Sequence, residues 1–168
     1  MGKEKLNRDV QKKLFSANSD QTISAIHSIK QEGNKLYLPV LFDLLISNPE
    51  KEVQAEILTL LGSVKKSDTV PVFIKAIKDE KYRKIRKPLL TACWQNGLDF
   101  REYLTVFVQC VIEEDWETGF EAFTVIESME NYPDQEITDE TTTLINQSLE
   151  SCRGKKEYLL QEILLLIR

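Results

Sequence analysis

The chain has 168 residues, of which 42% are hydrophobic and 29% are charged, and its formal net charge is -5. This length and apolar fraction suit one globular domain with a filled core, and they exclude a wholly disordered chain. No run approaches the ~20 apolar residues that a membrane span needs. The first residues lack the apolar region of a secretory signal, so we expect neither membrane insertion nor export.

The three cysteines, Cys93, Cys110 and Cys152, are odd in number and widely spaced. Such spacing fits neither a disulfide framework nor a metal-binding knuckle. Thiols without a partner are typical of a reducing compartment, so we expect a cytoplasmic protein.

Charge is distributed unevenly along the chain. Residues 65–87 carry nine Lys and Arg against three Asp and Glu, a net +6. Residues 88–152 carry one against fourteen, a net -13. Local fields of this kind steer the approach of partners more than the total charge does.

The apolar pattern predicts helices throughout. A leading segment, 1–19, contains one helix with the apolar stripe Leu6, Val10, Leu14 and Phe15. Four helix pairs follow, at 20–31 with 35–47, 49–62 with 67–79, 82–96 with 99–113, and 115–130 with 138–151. The last segment, 152–168, ends in a helix that is apolar nearly all round and must therefore be buried. No alternating pattern bounded by hairpin turns occurs, so the fold class is all-α.

The first helix of each pair carries the same apolar face. In the second pair this face consists of Val53, Ile57, Leu60 and Leu61, at the i, i+4, i+7, i+8 spacing of one helix side. It recurs at shifts of 31 or 32 residues, as Thr22, Ile26, Ile29 and Lys30, as Ile85, Leu89, Ala92 and Cys93, and as Trp116, Phe120, Phe123 and Thr124. Four copies at one period indicate a repeat architecture.

The second helices repeat in the same way. Their shared stripe is Leu38, Leu41, Phe42 and Leu45, then Val70, Phe73, Ile74 and Ile77, then Leu104, Phe107, Val108 and Val111. The fourth copy, around Leu144, Ile145 and Leu149, is poorer, because the preceding threonine run is made of weak helix formers.

The connectors contain residues that start and stop helices. Asn48-Pro49-Glu50 has the N-cap, the proline and the acid of a helix start. Two further prolines, Pro39 and Pro71, fall early in their helices, where a missing N–H is tolerated. Three glycines near the ends of first helices are predicted to be C-terminal caps, namely Gly33, Gly62 and Gly97.

The helix pairs resemble HEAT repeats, the helix-pair units of α-solenoids. The residues that carry the resemblance are Asp79 after a second helix, Ile85-Arg86 at the start of the next helix, and Ala92 further along it. The other junctions depart from the family pattern, because Gln54 and Glu117 stand where the family has Arg. The resemblance covers residues 20–151. It implies a right-handed α-α superhelix whose second helices line the concave side, and a role as a protein-binding scaffold.

On this interpretation residues 1–168 form one HEAT-like solenoid domain. Residues 1–19 are its leading segment, 20–151 are its four helix pairs, and 152–168 form a C-terminal capping helix.

Residues typical of catalysis are few. A single histidine, His27, cannot form a His pair or a His-rich metal site, and the six glycines form no phosphate-binding loop. Cys93 and Cys110 lie on core faces, where thiols are usually inert packing. The acids of 113–117 could indicate a binding site for a hard cation. Acids at a helix start are, however, expected from their favourable interaction with the helix dipole alone. We therefore expect that the protein is not an enzyme and that it binds neither a metal nor a cofactor.

The basic cluster 81–87 supports the main alternative. Five cations in seven residues beside a tyrosine could contact phosphates, and the anion-binding candidates are Arg83, Lys84, Arg86 and Lys87. Some HEAT-like proteins are DNA glycosylases that flip a base. Against this, the chain is acidic overall and its next 65 residues would repel a nucleic-acid backbone. We do not expect nucleic acid to be the partner, but nucleic-acid binding or DNA repair stays open. So does an enzyme with a deep pocket at Tyr82, Trp94 or Trp116.

Equivalent positions on the second helices predict a binding surface, which we call the second-helix ridge. In a solenoid these positions run along the concave face. They are Asp43, Ser47, Lys75, Lys78, Asp79, Gln109, Glu113 and Asn146. We expect a non-catalytic scaffold or adaptor that binds a protein partner there. A remaining alternative is self-assembly, with the +6 segment of one copy against the -13 segment of another and helix 155–168 at the join.

Overall fold

The computed structural model describes residues 5–47 and 49–168, and within these ranges it contains ten α-helices and no strand. The all-α class predicted from the sequence is confirmed. The helices are α1 (Arg8–Leu14), α2 (Ser19–Glu32), α3 (Tyr37–Ile46), α4 (Lys51–Gly62), α5 (Val70–Lys78), α6 (Arg86–Asn96), α7 (Leu104–Glu113), α8 (Trp116–Glu127), α9 (Gln135–Leu149) and α10 (Lys155–Leu166). Short 3₁₀ helices at Ser67–Thr69, Glu80–Ile85 and Arg101–Tyr103 precede α5, α6 and α7.

Prolines set where three of these helices begin. Pro39, Pro71 and Pro88 all lie in the first turn of α3, α5 and α6. A proline deeper in a helix would remove a hydrogen bond and clash with the carbonyl four residues earlier. The predicted helix 82–96 therefore starts as an α-helix only at Arg86, and the residues before it form the 3₁₀ helix Glu80–Ile85.

Two of the three predicted glycine caps are correct. Gly33 and Gly97 have φ of 65° and 64°, the left-handed conformation that ends α2 and α6. Gly62 instead remains helical as the last residue of α4, where an added Cβ would lie 2.6 Å from Oε1 of Gln95. Its small size therefore fits a close approach to α6.

The predicted start of α4 also differs. Asn48 lies outside the described residues, and Glu50 occupies the N-cap position without a side-chain hydrogen bond to the helix. Pro49 precedes the cap, so it is not the first helical residue as the sequence had predicted.

The helices pack in a regular succession. Each even-numbered helix from α2 to α8 contacts the next even-numbered helix, ending with α10. The helices between them, α3, α5 and α7, each contact the even-numbered helix that follows. Side-chain hydrogen bonds join residues at similar separations, 29 residues for His27 with Glu56, 30 for Thr91 with Glu121 and 31 for Lys65 with the Asn96 carbonyl. These separations are close to the 31 or 32 residues of the sequence repeat, although other side-chain bonds between helices span, for example, 27 and 39 residues.

The core runs the length of this stack. All residues of the predicted second-helix stripes in α3, α5 and α7 are buried, and so are the predicted stripes of α4 and of residues 85–93. Aromatic rings connect successive elements. Phe42 lies 5.9 Å from Phe73, Phe73 lies 6.3 Å from Phe100, and Phe100 lies 5.8 Å from Phe107, as distances between ring centroids. These contacts make the core continuous between neighbouring helices.

The predicted apolar face of α8 is wrong for Trp116 and Phe120, although Phe123 of the same face is buried. Trp116 and Phe120 are 36% and 45% exposed, whereas Thr118, Ala122 and Ile126 are buried. The buried face follows that of α6 at a shift of 33 residues rather than 31. Gly119 lies on this buried side, where an added Cβ would lie 3.4 Å from the Val111 carbonyl oxygen of α7, an ordinary contact distance. The side of α8 that carries the small residues Gly119 and Ala122 packs against its neighbours, and Trp116 and Phe120 are turned outward.

Helix α10 is only partly buried, in contrast to the prediction. Leu159, Leu160 and Ile163 are buried, and α10 contacts α7, α8 and α9. Tyr158 and Leu165 are each 59% exposed. Among the residues that the structure describes, no helix combines the length and apolar character needed to cross a membrane.

Candidate functional site

The structure places the second-helix ridge at the surface. All eight side chains predicted for it are exposed, on or directly after α3, α5, α7 and α9. They differ in whether their polar atoms already have partners within the chain. This difference divides the ridge into an engaged part and a free part.

The engaged part of the ridge lies around Asp43. Its carboxylate accepts a hydrogen bond from the Tyr82 hydroxyl at 2.8 Å and lies 2.6 Å from the ammonium of Lys81. Asp79 accepts a hydrogen bond from the Lys81 backbone N–H, and Ser47 donates to the Leu44 carbonyl. These three residues are therefore held in place by α3, α5 and the 3₁₀ helix that follows α5.

The free part of the ridge has five members. No hydrogen bond or ion pair joins their side chains to any other residue in 5–47 or 49–168. They are Lys75 and Lys78 on α5, Gln109 and Glu113 on α7, and Asn146 on α9. An exposed polar side chain without an internal partner keeps its hydrogen-bonding capacity for another molecule.

The basic cluster is largely neutralised by acids of the same chain. Lys81 pairs with Asp43, and the hydrogen bond to that carboxylate raises the pKa of Lys81. Lys87 pairs with Glu117, and this hydrogen bond raises the pKa of Lys87. Both lysines therefore stay charged, with a carboxylate beside each.

Arg86 is the buried member of the cluster. It is 5% exposed, and its guanidinium pairs with Glu114, in the turn between α7 and α8, and with Glu80 at 3.1 Å. Burial lowers the pKa of Arg86, but the hydrogen bonds with Glu80 and Glu114 more than offset this, so that its pKa lies above the ordinary value. Its Nε has no hydrogen-bond partner among the described residues. A side chain so enclosed holds helices together and cannot reach a phosphate.

The other anion-binding candidates differ in their freedom. Arg83 lies 3.6 Å from Glu80 and 3.9 Å from Glu114, so its charge is shared with the Arg86 pairs. Lys84 is exposed and has no ion pair with any residue that the structure describes. Of the four cations predicted to bind an anion, Lys84 alone is thus uncompensated among the described residues.

Three of the four acids of 113–117 have structural partners, and only Glu113 has none among the described residues. Glu114 pairs with Arg86, and Glu117 pairs with Lys87. Asp115 is the N-cap of α8, and the hydrogen bond from the Thr118 backbone N–H lowers the pKa of Asp115. Within the described ranges no group of three or more His, Cys, Asp or Glu residues could hold a metal ion.

The other side chains that could take part in catalysis are buried or bonded to neighbouring residues. Burial raises the pKa of Cys110 to about 12 and that of Cys93 still further, so both thiols are protonated at neutral pH. His27 is exposed on α2, with Nε2 3.0 Å from Oε2 of Glu56 on α4. Trp94 donates a hydrogen bond from Nε1 to Glu121 at 2.8 Å, next to a cavity of about 180 Å³.

The sequence interpretation missed an exposed aromatic surface on α8. Trp116 and Phe120 lie with their ring centroids 5.6 Å apart, and the ammonium of Lys155 lies 5.0 Å from the centre of the Trp116 ring. The signal that could have shown it is the pair of small residues Gly119 and Ala122, which mark the true buried side of this helix.

No protein-family model matches the sequence, and a comparison with curated proteins gives no match either. The geometry of the chain itself therefore carries the functional proposal.

Proposed function

We propose that this protein is a non-catalytic protein-interaction scaffold of the HEAT type, a right-handed α-α superhelix of four helix pairs with α10 as its capping helix. The second-helix ridge lines the concave side and binds a segment of a partner protein. Residues 1–168 form one domain in this proposal.

The regular succession of contacts supports the solenoid. Even-numbered helices follow one another in a row, and side-chain hydrogen bonds between them join residues 27 to 35 positions apart. A stack in which each unit contacts its neighbours is typical of repeat proteins.

The free part of the ridge is the observation that carries the binding function. Its five polar side chains lie on three odd-numbered helices, and none has a partner among the described residues. The engaged part beside it is already ordered by internal contacts, because Asp43 is bonded to Tyr82 and Lys81. Side chains that are ordered before binding lower the ordering cost of binding a partner.

Nucleic acid is disfavoured by the internal ion pairs. A phosphate backbone attracts a protein through cations that release counterions, and each such contact needs an available charge. Arg86 and Lys87 are paired with Glu114 and Glu117. Only Lys84, and Arg83 because of its weaker pairing with Glu114, remain available among the four candidates to contact a phosphate. The acidic stretch that follows adds repulsion.

A cytoplasmic location belongs to the same proposal. Cys93, Cys110 and Cys152 are all free thiols. A reducing compartment keeps such thiols unpaired.

The decisive experiment reverses the two ridge lysines. The variant Lys75→Glu with Lys78→Glu should retain its helix content by circular dichroism, because both side chains are exposed and unpaired. Proteins captured from lysate by the wild-type chain after nuclease treatment should be lost or weakened about tenfold with the variant, since removing charged interface contacts commonly costs this much.

The matched control is Lys12→Glu with Lys13→Glu on α1, which changes the net charge equally at an exposed site away from the ridge. Capture that is reduced equally by both variants would reflect total charge and remove the ridge from the proposal. Capture that disappears with nuclease would replace protein binding by nucleic-acid binding.

A further inference from the structure

An exposed aromatic surface lies where α8 and α10 begin. Trp116 and Phe120 of α8 form one side of it, and Lys155 of α10 lies over the Trp116 ring. Tyr158, 59% exposed, follows Lys155 by one turn of α10. We call these four residues the aromatic patch.

The patch occupies a position that is polar and paired elsewhere in the stack. Between α6 and α8, Lys87 pairs with Glu117, and Thr91 donates a hydrogen bond to Glu121. The α8 residue that corresponds to Lys87 at the observed shift of 33 is Phe120, and it is 45% exposed. Neighbouring rings that stay exposed at a helix–helix junction are characteristic of a surface that another molecule covers.

The patch already binds a cation of its own chain. The ammonium of Lys155 is 5.0 Å from the centre of the Trp116 ring, within the range of cation–π attraction. The negative face of an indole favours any ammonium or guanidinium in this place, and arginine most of all because its plane also stacks. The intramolecular contact therefore indicates what kind of group fits.

The surroundings of the patch favour the same kind of group. Residues 113–130, which contain α8, carry seven Asp and Glu and no Lys or Arg. Glu114 and Glu117 are paired with Arg86 and Lys87, whereas Asp115 and Glu127 are exposed and have no ion pair with any described residue. These uncompensated carboxylates raise the encounter rate of a positively charged partner.

We propose that the aromatic patch binds a basic peptide segment of a partner protein in which Arg or Lys residues are interspersed with apolar ones. A guanidinium of the segment replaces Lys155 over Trp116, and its apolar side chains cover Phe120 and Tyr158. This site is separate from the second-helix ridge, so its existence does not depend on the function proposed for the ridge.

The test uses fluorescein-labelled peptides and the full chain. The probe is a 16-residue peptide of repeating Leu-Arg-Arg-Leu, with Leu-Glu-Glu-Leu and oligoarginine peptides as comparisons, and binding is followed by anisotropy. We expect the Leu-Arg-Arg-Leu probe to bind best. Trp116→Ala with Phe120→Ala should weaken that binding by about tenfold although it leaves every charge in place.

Two control variants make the result specific. Phe15→Ala removes a ring that is more exposed than Trp116 or Phe120 and lies near the other end of the chain, and it should leave binding unchanged. Lys155→Gln frees the Trp116 ring and removes a competing cation, so it should strengthen binding severalfold. Circular dichroism should show unchanged helix content for each, since all of these side chains are exposed.

Three results would overturn the proposal. Equal affinity of the wild type and the Trp116→Ala, Phe120→Ala variant would show that bulk charge attracts the probe. Weaker binding by Lys155→Gln would show that the ring is not where the cation binds. Concentration-dependent self-association that this double variant abolishes, without peptide binding by the wild type, would assign the patch to a second copy of the chain.

Discussion

Arg86 connects parts of the chain that are far apart in sequence. Its guanidinium pairs with Glu114, 28 residues later, and with Glu80 in the preceding 3₁₀ helix. Moving a charge from water into a protein interior is costly, and the two carboxylates offset that cost only while both ions are present. The pair therefore fixes how α6 meets the turn between α7 and α8.

Removing Arg86 alone should destabilise the protein strongly. Arg86→Ala leaves Glu114 buried without a full partner, and we expect the free energy of unfolding to fall by about 3–5 kcal/mol in urea titrations. The combined variant Arg86→Met with Glu114→Leu removes both charges and should recover most of this loss.

The control for this prediction is Lys84→Ala, an exposed cation next in the cluster, which should change stability by less than about 0.5 kcal/mol. A loss by Arg86→Ala as small as that of Lys84→Ala would mean that the buried pair has no structural role.

At the scale of single residues, the sequence identified the cluster of cations but not which of them are buried or paired. It showed that Arg83, Lys84, Arg86 and Lys87 form a cluster, but it gave all four the same role. The structure separates them, because Arg86 points into the protein and Lys84 points to solvent. Whether a residue is buried depends on contacts with other helices, and the spacing of residues within one helix does not show those contacts.

At the scale of single elements, Gly97 and Gly119 occupy different structural settings, and a side chain would have a different effect at each. Gly97 has φ of 64° and no atom of the described residues within 4 Å of an added Cβ, so its conformation alone disfavours other residues. Gly119 is helical, and a Cβ there would meet the α7 backbone at ordinary contact distances from 3.4 Å.

These two glycines should respond oppositely to alanine. Gly97→Ala should lower the free energy of unfolding by about 1 kcal/mol, because a Cβ disfavours the left-handed conformation. Gly119→Ala should raise it by about 0.5 kcal/mol, because alanine is a better helix former and the contact with α7 is tolerable. Thermal and urea unfolding would measure both. A loss of stability in Gly119→Ala larger than that in Gly97→Ala would contradict this assignment.

The sequence predicted where the helices lie in the chain, but it predicted the wrong orientation of α8 about its axis. Trp116, Phe120 and Phe123 fit an apolar stripe at a shift of 31, and aromatic residues are usually buried. The competing face with Gly119 and Ala122 has less apolar area but permits closer packing against α7. Rotation of a helix about its axis is decided by this fit to its neighbours.

At the scale of the whole molecule, the charge segments are less available than their totals suggest. Of the cations in 65–87, Lys81, Arg83, Arg86 and Lys87 are paired with acids within the chain. Two of these acids, Glu114 and Glu117, belong to the acidic segment itself. The +6 and -13 segments thus already meet inside one molecule.

We therefore expect no head-to-tail association through these segments. Sedimentation velocity at low and high salt should give one species with the same sedimentation coefficient, because Arg86 and Lys87 of the basic segment already pair with Glu114 and Glu117 of the same molecule. A larger species at low salt that dissociates at high salt would contradict this expectation and favour the self-assembly alternative.

The sequence by itself determined that the chain is helical and which faces of α3, α4, α5 and α7 are buried. These properties depend on the 3.6-residue period of a helix and on local residues such as Pro71 and Gly97, which act over a few positions. The tertiary structure alone decided that Trp116 and Phe120 face outward, that Arg86 pairs with Glu114, and that five ridge residues have no partner within the described part of the chain. Each of these depends on the distance between helices that are separated in sequence, and side-chain size and packing set that distance.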